Sequence, residues 1–210
     1  MRPDIAGIIL AGGLSRRMGG GDKTLLALGG RPLLDHVVAR LTPQVGSLAL
    51  NANGDPARFA ASGLSVLADT VEGHAGPLAG ILTGLEWAAA NTASEALVTA
   101  AGDTPFLPAD LVATLVAAAA GRPGSIAVAS SGGRRHPTFA LWPLGLRQAL
   151  RRFLVDEDNR RVSAFIERHD FVEVEFSSLP PGSDEIDPFF NINTPDDLAV
   201  AERLLQSIGP

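Results

Sequence analysis

The chain contains no cysteine among its 210 residues, and it has no long uninterrupted apolar run. Without cysteine it can form no disulfide framework, thiolate nucleophile or thiolate-ligated zinc site, and this absence fits a reducing compartment. The longest apolar stretch, residues 111–120, is broken by Thr114 and is too short to cross a bilayer. The first residues, Met1-Arg2-Pro3-Asp4, lack the apolar segment of a signal peptide. We therefore expect a soluble, cytoplasmic protein with no membrane partner.

An excess of positive charge is also missing, because the formal net charge is −6 at pH 7. This balance argues against a broad surface that binds nucleic acid. A local cluster of basic side chains is then expected to bind a small anion.

Apolar strand-like runs alternate with helical patterns, which predicts a three-layer α/β fold with a mostly parallel sheet. The length fits a single domain spanning residues 1–210. Pro32 and Pro108 are predicted in the first turns of their helices, and Thr194 is predicted to cap the last helix. Strands are predicted at 5–10, 47–51, 65–68, 96–100, 125–129, 136–142 and 171–176. Helices are predicted at 32–41, 78–90, 108–120, 144–154, 161–168 and 195–208.

A glycine-rich loop follows the first predicted strand and carries Arg17 and Lys23. Small residues let backbone N–H groups approach an anion, and the two cations can balance the charge of a polyphosphate. The loop is not a Walker A motif, because Asp22 stands between Gly21 and Lys23, and it lacks the G-x-G-x-x-G fingerprint. It therefore predicts a triphosphate site of another type. As a loop residue, Lys23 is expected to contribute little to folding stability.

Polar side chains follow several predicted strands, where the ligands of open α/β sheets bind. Asp103 is the predicted Mg²⁺ ligand, because a carboxylate at a strand end can hold an ion that bridges phosphate oxygens. Asp110, at the start of the next predicted helix, is interpreted as a solvated carboxylate. Asn51 and Asp69 offer hydrogen bonds to a nucleoside, and the sequence leaves open which of them meets the base and which the ribose.

Three further segments carry residue types suited to ligands. Gly80 lies in the string 76–80, at the start of a helix whose first N–H groups are free to meet an anion or a base edge. Arg135 and His136 combine cationic and hydrogen-bonding groups at a strand entry, a pattern that also occurs on solvated hairpins. Alternation places Asn191 and Asn193 on the same side of a predicted strand end.

Several of these strings resemble, in the same order, those of the molybdenum cofactor guanylyltransferases, which belong to a nucleotidyltransferase superfamily with a Rossmann-like fold. Residues 10–23 read Leu-Ala-Gly-Gly-x-Ser-x-Arg-Met-Gly-Gly-x-Asp-Lys, and the strings at 76–80, 103–108 and 191–195 also match. The resemblance runs from residue 7 to about residue 200. It implies transfer of GMP from GTP to molybdopterin carrying molybdenum, with release of pyrophosphate and without a protein nucleophile.

The resemblance also implies roles for individual residues. The substrates are GTP and Mo-molybdopterin, the cofactor is Mg²⁺ held by Asp103, and the candidate partners are molybdopterin-handling proteins and acceptor molybdoenzymes. Catalysis is implied for Arg17, Lys23 and Asp103, and pterin binding for Arg135, His136, Asn191 and Asn193. The implied nucleotide-binding residues are Leu10, Ala11, Gly12, Gly13, Arg17, Lys23, Asn51, Asp69, Gly80 and Asp103.

Three other functions remain open from the sequence. A cytidylyltransferase for the same pterin shares the fold and the metal site, but that family usually has Leu-Ala-Ala-Gly where this chain has Leu-Ala-Gly-Gly at 10–13. A sugar-phosphate nucleotidyltransferase has a similar phosphate loop, whereas the Asp22-Lys23 spacing and the string at 191–195 favour the pterin enzyme. A noncatalytic nucleotide-binding module would keep the fold without the chemistry, but Arg17, Lys23 and Asp103 are all present.

Overall fold

A seven-stranded sheet forms the centre of the molecule. The computed structural model describes residues 4–12, 22–73, 76–178 and 187–208. The strands are β1 (Ile5–Leu10), β4 (Ser47–Asn51), β5 (Ser65–Leu67), β6 (Ala96–Ala101), β7 (Ile126–Ser131), β8 (Arg134–Pro143) and β9 (Phe171–Glu175), and β2 (Ala27–Leu28) and β3 (Arg31–Pro32) form a separate hairpin. The helices are α1 (Leu33–Leu41), α2 (Pro77–Asn91), α3 (Leu111–Ala119), α4 (Arg147–Val155), α5 (Val162–Ile166) and α6 (Pro195–Ile208).

The sheet has the order β5-β4-β1-β6-β8-β7-β9, and β8 alone among these seven strands runs against the others. The expected mostly parallel sheet is therefore confirmed. Because β8 runs in the opposite direction, its first residues lie at the edge where its neighbours end, and Arg134 pairs with Ser131 of β7. This carboxyl edge brings the ends of six strands together with the start of β8.

Apolar side chains fill both faces of the sheet and produce the expected three layers. Ile8 and Ile9 are adjacent in β1 and fully buried, yet they belong to different core clusters because successive strand residues point to opposite faces. The cluster containing Ile9 packs against α1 and α3, and the cluster containing Ile8 packs against α2, α4 and α5. A third, smaller cluster joins the hairpin to α6 through Leu28, Phe106 and Ile192.

Two proline predictions are wrong. Helix α3 begins at Leu111 and not at Pro108, because the side chain of Gln44 binds both the Pro108 carbonyl and the backbone N–H of Val112. Gln44 is distant in the sequence, so this contact could not be predicted from the residues around Pro108. Pro32 precedes α1 in an extended conformation and forms part of β3. A 3₁₀ helix at Pro56–Ser62 was not predicted, and the segment before α4 starts as a 3₁₀ turn at Leu144–Leu146.

Within the described part of the chain, none of the helices has the length and apolar character needed to cross a membrane.

Candidate active site

Lys23 is the centre of a polar cluster at the carboxyl edge of the sheet. Its ammonium nitrogen lies 2.5 Å from Asp103 Oδ2, 2.9 Å from Asn191 Oδ1 and 2.5 Å from Asn193 Oδ1. An ammonium group has three donors, and these three oxygens satisfy all of them. Lys23 is only 8% exposed. Lys23 is therefore a buried lysine and not a solvated loop residue, although its partners Asn191 and Asn193 are exposed and Asp103 is half-buried.

Asp103 reaches this cluster because the chain turns closely after β6. The N–H of Gly102 donates to the Leu10 carbonyl, and the Asp103 carbonyl accepts from Ile192 N–H at 3.1 Å. A Cβ on Gly102 would lie 2.8 Å from Thr24 Cγ2, closer than Cβ atoms normally approach another atom. Glycine at this position therefore lets the segment that carries Lys23 pack against the end of β6.

Asn191 and Asn193 lie in the segment that leads into α6, and this segment is not a strand as predicted. Their predicted placement on the same side is confirmed, because both side-chain oxygens contact Lys23 while Ile192 between them is fully buried. The predicted cap on α6 is also confirmed, since Thr194 Oγ1 accepts from Asp197 N–H at 3.1 Å. Asp197 in turn accepts from the backbone N–H of Asn193 and of Thr194, both at 2.8 Å. This reciprocal capping fixes the backbone that presents the two amides.

A second polar cluster surrounds Asp69 at the same edge. Asn51 Nδ2 donates to Asp69 Oδ1 at 2.9 Å, and Asn53 Nδ2 donates to Asp69 Oδ2 at 2.7 Å. Asn53 Oδ1 also accepts from the Asp69 backbone N–H at 2.8 Å. Each carboxylate oxygen thus has one amide donor and retains a lone pair for a ligand. Asn53 was not among the predicted site residues, although it follows Asn51 with strand-like spacing.

Gly80 makes room for the Asn51 side chain. A Cβ at position 80 would overlap Asn51 Oδ1 and would lie 2.8 Å from Leu10 Cδ2. Four residues later, a Cβ on Gly84 would lie 2.8 Å from Ile8 Cγ2 and from Leu97 Cδ2, in the apolar core. Gly80 and Gly84 therefore lie about one turn apart on α2. A Cβ would meet the polar side chain of Asn51 at position 80 and only apolar core side chains at position 84.

We expect Gly80→Ala to weaken nucleotide binding about tenfold, because the Asn51 amide must leave Asp69 and a lost hydrogen bond is worth about 1 kcal/mol. Tm should also fall, because the Asn51 side chain that must move is buried and donates to the Leu67 carbonyl as well. Gly84→Ala is the control, and it should lower Tm through core strain while leaving nucleotide affinity unaltered. Titration calorimetry with nucleotide and thermal melting of both variants test this. Equal affinities of the two variants would contradict the role given to Gly80.

Arg135 and His136 lie at the start of β8 and contact other partners. Arg135 pairs with Glu173 at 3.1 Å and with Glu167 at 3.3 Å. His136 Nε2 lies 2.7 Å from Ser131 Oγ, which donates to Asp187 Oδ1 at 2.7 Å. Burial lowers the pKa of His136, and the nearby Asp187 carboxylate opposes this effect in part. The structure therefore places these two residues at the functional edge but gives them no contact with Lys23 or Asp69 among the described residues.

The remaining predicted residues lie around the end of β1. Leu10 is half-buried, Ala11 is buried and donates its N–H to the Asn51 carbonyl at 2.9 Å, and Gly12 is exposed. Gly13 and Arg17 lie outside the described residues. Asp110 is exposed at the start of α3 and makes no side-chain cap there, as its interpretation as a solvated carboxylate requires.

The residues around Asp103 fit a magnesium ion that also binds substrate. Asp103 supplies a carboxylate of which Oδ2 contacts Lys23, and the side-chain oxygens of Asn191 and Asn193 are already engaged by Lys23. Mg²⁺ prefers oxygen ligands and is usually held by one or two carboxylates together with phosphates and water. Within the described ranges, the structure contains no group of three His, Cys, Asp or Glu side chains that could hold a metal alone. The donor set thus fits an ion that needs a phosphate to complete its coordination.

Comparison with known proteins decides the family. The family model for the MobA-like NTP transferase domain matches residues 7–172. The chain is 71% identical over 208 residues to the molybdenum cofactor guanylyltransferase of Mesorhizobium japonicum, which covers 99% of both chains. The chain belongs to the molybdenum cofactor guanylyltransferase family. A Bradyrhizobium guanylyltransferase is 53% identical and covers 95% of this chain and 92% of its own.

The fold of this guanylyltransferase family member is also found in a solved structure. The molybdopterin-guanine dinucleotide biosynthesis protein A of Archaeoglobus fulgidus matches with a TM-score of 0.77 and 24% identity, covering 96% of this chain and 99% of its own. At that identity the likeness concerns the fold, which is the nucleotidyltransferase fold predicted from the sequence.

Proposed function

We propose that the protein transfers GMP from GTP to the terminal phosphate of Mo-molybdopterin, forming molybdopterin guanine dinucleotide and pyrophosphate. The observation that carries the proposal is the Lys23 cluster, which holds a cation and a carboxylate at the carboxyl edge of the sheet beside the Asp69 cluster. A triphosphate and a nucleoside need these two environments next to each other. Membership of the guanylyltransferase family supports the same assignment.

The reaction needs positioning and charge neutralisation, and no side chain has to attack. A terminal oxygen of the pterin phosphate forms a bond to the α-phosphorus of GTP. The bond from that phosphorus to the oxygen bridging to the β-phosphate breaks, and pyrophosphate leaves. Lys23 and Arg17 offset the negative charge on the phosphates, and Lys23 is already held in place by its three oxygen partners. Asp103 would hold Mg²⁺, which when bound neutralises charge on the phosphate oxygens.

Recognition of guanine is assigned to the Asp69 cluster. Guanine presents N1–H and N2–H₂ as neighbouring donors, and a carboxylate can accept both. The amides of Asn51 and Asn53 each donate to one oxygen of the Asp69 carboxylate and so fix its plane. A cytosine ring lacks this pair of donors, so the arrangement favours GTP over CTP.

The pterin is expected to bind on the side of Asn191, Asn193, His136 and Arg135. The two asparagines direct their oxygens to Lys23 and keep NH₂ groups that can donate to phosphate. Arg135 is paired with two glutamates, so its charge is largely compensated before any ligand binds. We therefore propose that the asparagines contact the pterin phosphate and that Arg135 has a supporting role.

The proposed protein partners are molybdopterin-handling proteins and acceptor molybdoenzymes. We propose that the protein acts in the cytoplasm and that residues 1–210 form one domain.

We expect GTP to release pyrophosphate at least about tenfold faster than CTP, ATP or UTP in the presence of Mo-molybdopterin and Mg²⁺, because a mismatched base leaves buried polar groups unpaired. A coupled pyrophosphate assay with each of the four nucleotides measures this. The matched control omits the pterin and should give no release. Faster reaction with CTP would assign the chain to cytidylyl transfer, and binding of GTP without any release would indicate a noncatalytic module.

A further inference from the structure

Arg58 spans the gap between the two polar clusters of the site. Its guanidinium donates to Asp22 Oδ2 at 2.5 Å, to the Asn53 carbonyl at 2.6 Å and to the Asp55 carbonyl at 2.9 Å. All three nitrogens of the guanidinium are thus engaged. A planar group with several fixed donors is suited to joining separate pieces of chain in one geometry.

The segment that carries Arg58 is itself anchored. The 3₁₀ helix Pro56–Ser62 is capped by Asp55, whose Oδ1 accepts from Ala57 N–H at 2.9 Å. Phe59 is 1% exposed within the core, and the Arg58 guanidinium carbon lies 5.1 Å from the centroid of its ring. Arg58 therefore extends from a fixed support, although 35% of its side chain is exposed.

Arg58 links the two clusters through the residues that it binds, Asp22 and Asn53. On one side it holds Asp22, and the next residue is Lys23, which pairs with Asp103. On the other side it holds the Asn53 backbone, and the Asn53 side chain binds Asp69 through two hydrogen bonds. The chain of contacts runs from Asp103, the predicted metal ligand, to Asp69, the base ligand under the proposed function.

We infer that Arg58 is a positioning residue that fixes the Asp22–Lys23 segment relative to Asp69, so that the triphosphate and the nucleoside of one nucleotide meet their partners together. The inference rests on the proposed function, because it takes GTP to lie between the two clusters. Arg58 touches neither Lys23 nor Asp69 and acts through Asp22 and Asn53. Its contribution is preorganisation, which improves binding by removing the need to order the two clusters when the ligand arrives.

Arg58→Ala should raise KM for GTP about tenfold while leaving KM for Mo-molybdopterin unchanged, because only the nucleotide bridges the two clusters. Asp55→Ala is the matched control, since it removes the cap of the same 3₁₀ helix without removing the link to Asp22. Arg58→Lys should restore part of the loss, because an ammonium can reach one of the three acceptors. In a double-mutant cycle, Asp22→Asn with Arg58→Ala should be no worse than Arg58→Ala alone.

The inference would be overturned if Arg58→Ala kept the parental KM for GTP, or if Asp55→Ala raised that KM equally. Additive effects of the two substitutions in the double-mutant cycle would also overturn it. Hydrogen exchange of nucleotide-free protein separates it from the proposed function. Faster exchange at residues 22–26 and 67–70 in Arg58→Ala, and not in Asp55→Ala, supports the link even if GTP is not the substrate. Unchanged exchange in both segments would overturn it even if GTP transfer is found.

Discussion

Asp103→Asn is expected to lower kcat for GMP transfer by roughly 10²–10³, the loss typical of removing a preorganised electrostatic partner of the transition state. The substitution keeps the size of the side chain and removes the charge that would hold Mg²⁺. It also removes the ionic partner of Lys23, which lies 2.5 Å away. The variant should fold, because the Asp103 backbone carbonyl keeps its bond to Ile192 N–H. Initial rates over a Mg²⁺ titration measure the effect.

Asp110→Asn is the matched control, seven positions along the chain. It makes the same change of charge at an exposed residue at the start of α3, where the carboxylate makes no side-chain cap. Only a helix-dipole interaction of about 0.3–1 kcal/mol is altered, so activity should stay close to the parental value. Asp103→Asn should need more Mg²⁺ than Asp110→Asn or remain inactive at every concentration. Equal losses in the two variants would remove the metal site from the proposal.

Lys23→Ala should reduce kcat/KM for GTP by roughly 10²–10³, because it removes the positive charge that the site places beside the phosphates. Unlike an exposed lysine, Lys23 should also matter for stability. Its removal takes the ionic partner from the half-buried Asp103, whereas the exposed oxygens of Asn191 and Asn193 can bind water instead, so the cost should be about 1 kcal/mol. Kinetics measured well below Tm separate the loss of activity from the loss of folded protein.

Arg31→Ala provides the comparison for Lys23→Ala. Both substitutions remove one positive charge, and Arg31 is an exposed residue of β3 whose side chain reaches only the Asp35 carbonyl at 3.4 Å among its described contacts. We expect parental kinetics and a Tm close to the parental value for Arg31→Ala. If Lys23→Ala kept its parental kcat/KM for GTP, the triphosphate site would be misplaced.

Much of the sheet could be predicted because strand signals are local. β1 and β4 have the predicted bounds, and most residues of each strand are buried in the sheet. Lys23 and Asp103 could be singled out for the same reason, because each follows a recognisable strand or loop. The prediction from Pro108 failed because Gln44, 64 residues earlier, fixes that backbone. Asn53 and Arg58 were missed because their partners are set by tertiary contacts that no local pattern indicates.

The partners of Lys23 lie far from it in the sequence, and this separation decides the order in which the parts of the site are synthesised. Lys23 is separated from Asp103 by 80 positions and from Asn191 and Asn193 by 168 and 170. Synthesis proceeds from the N-terminus, so the loop and the carboxylate exist long before the two amides do. A nascent chain that ends before residue 191 therefore contains Lys23 and Asp103 but neither of the two amides. The finished environment of Lys23 forms only after the chain has been synthesised past Asn193, so the competence of the site depends on a segment that is made long after the loop it completes.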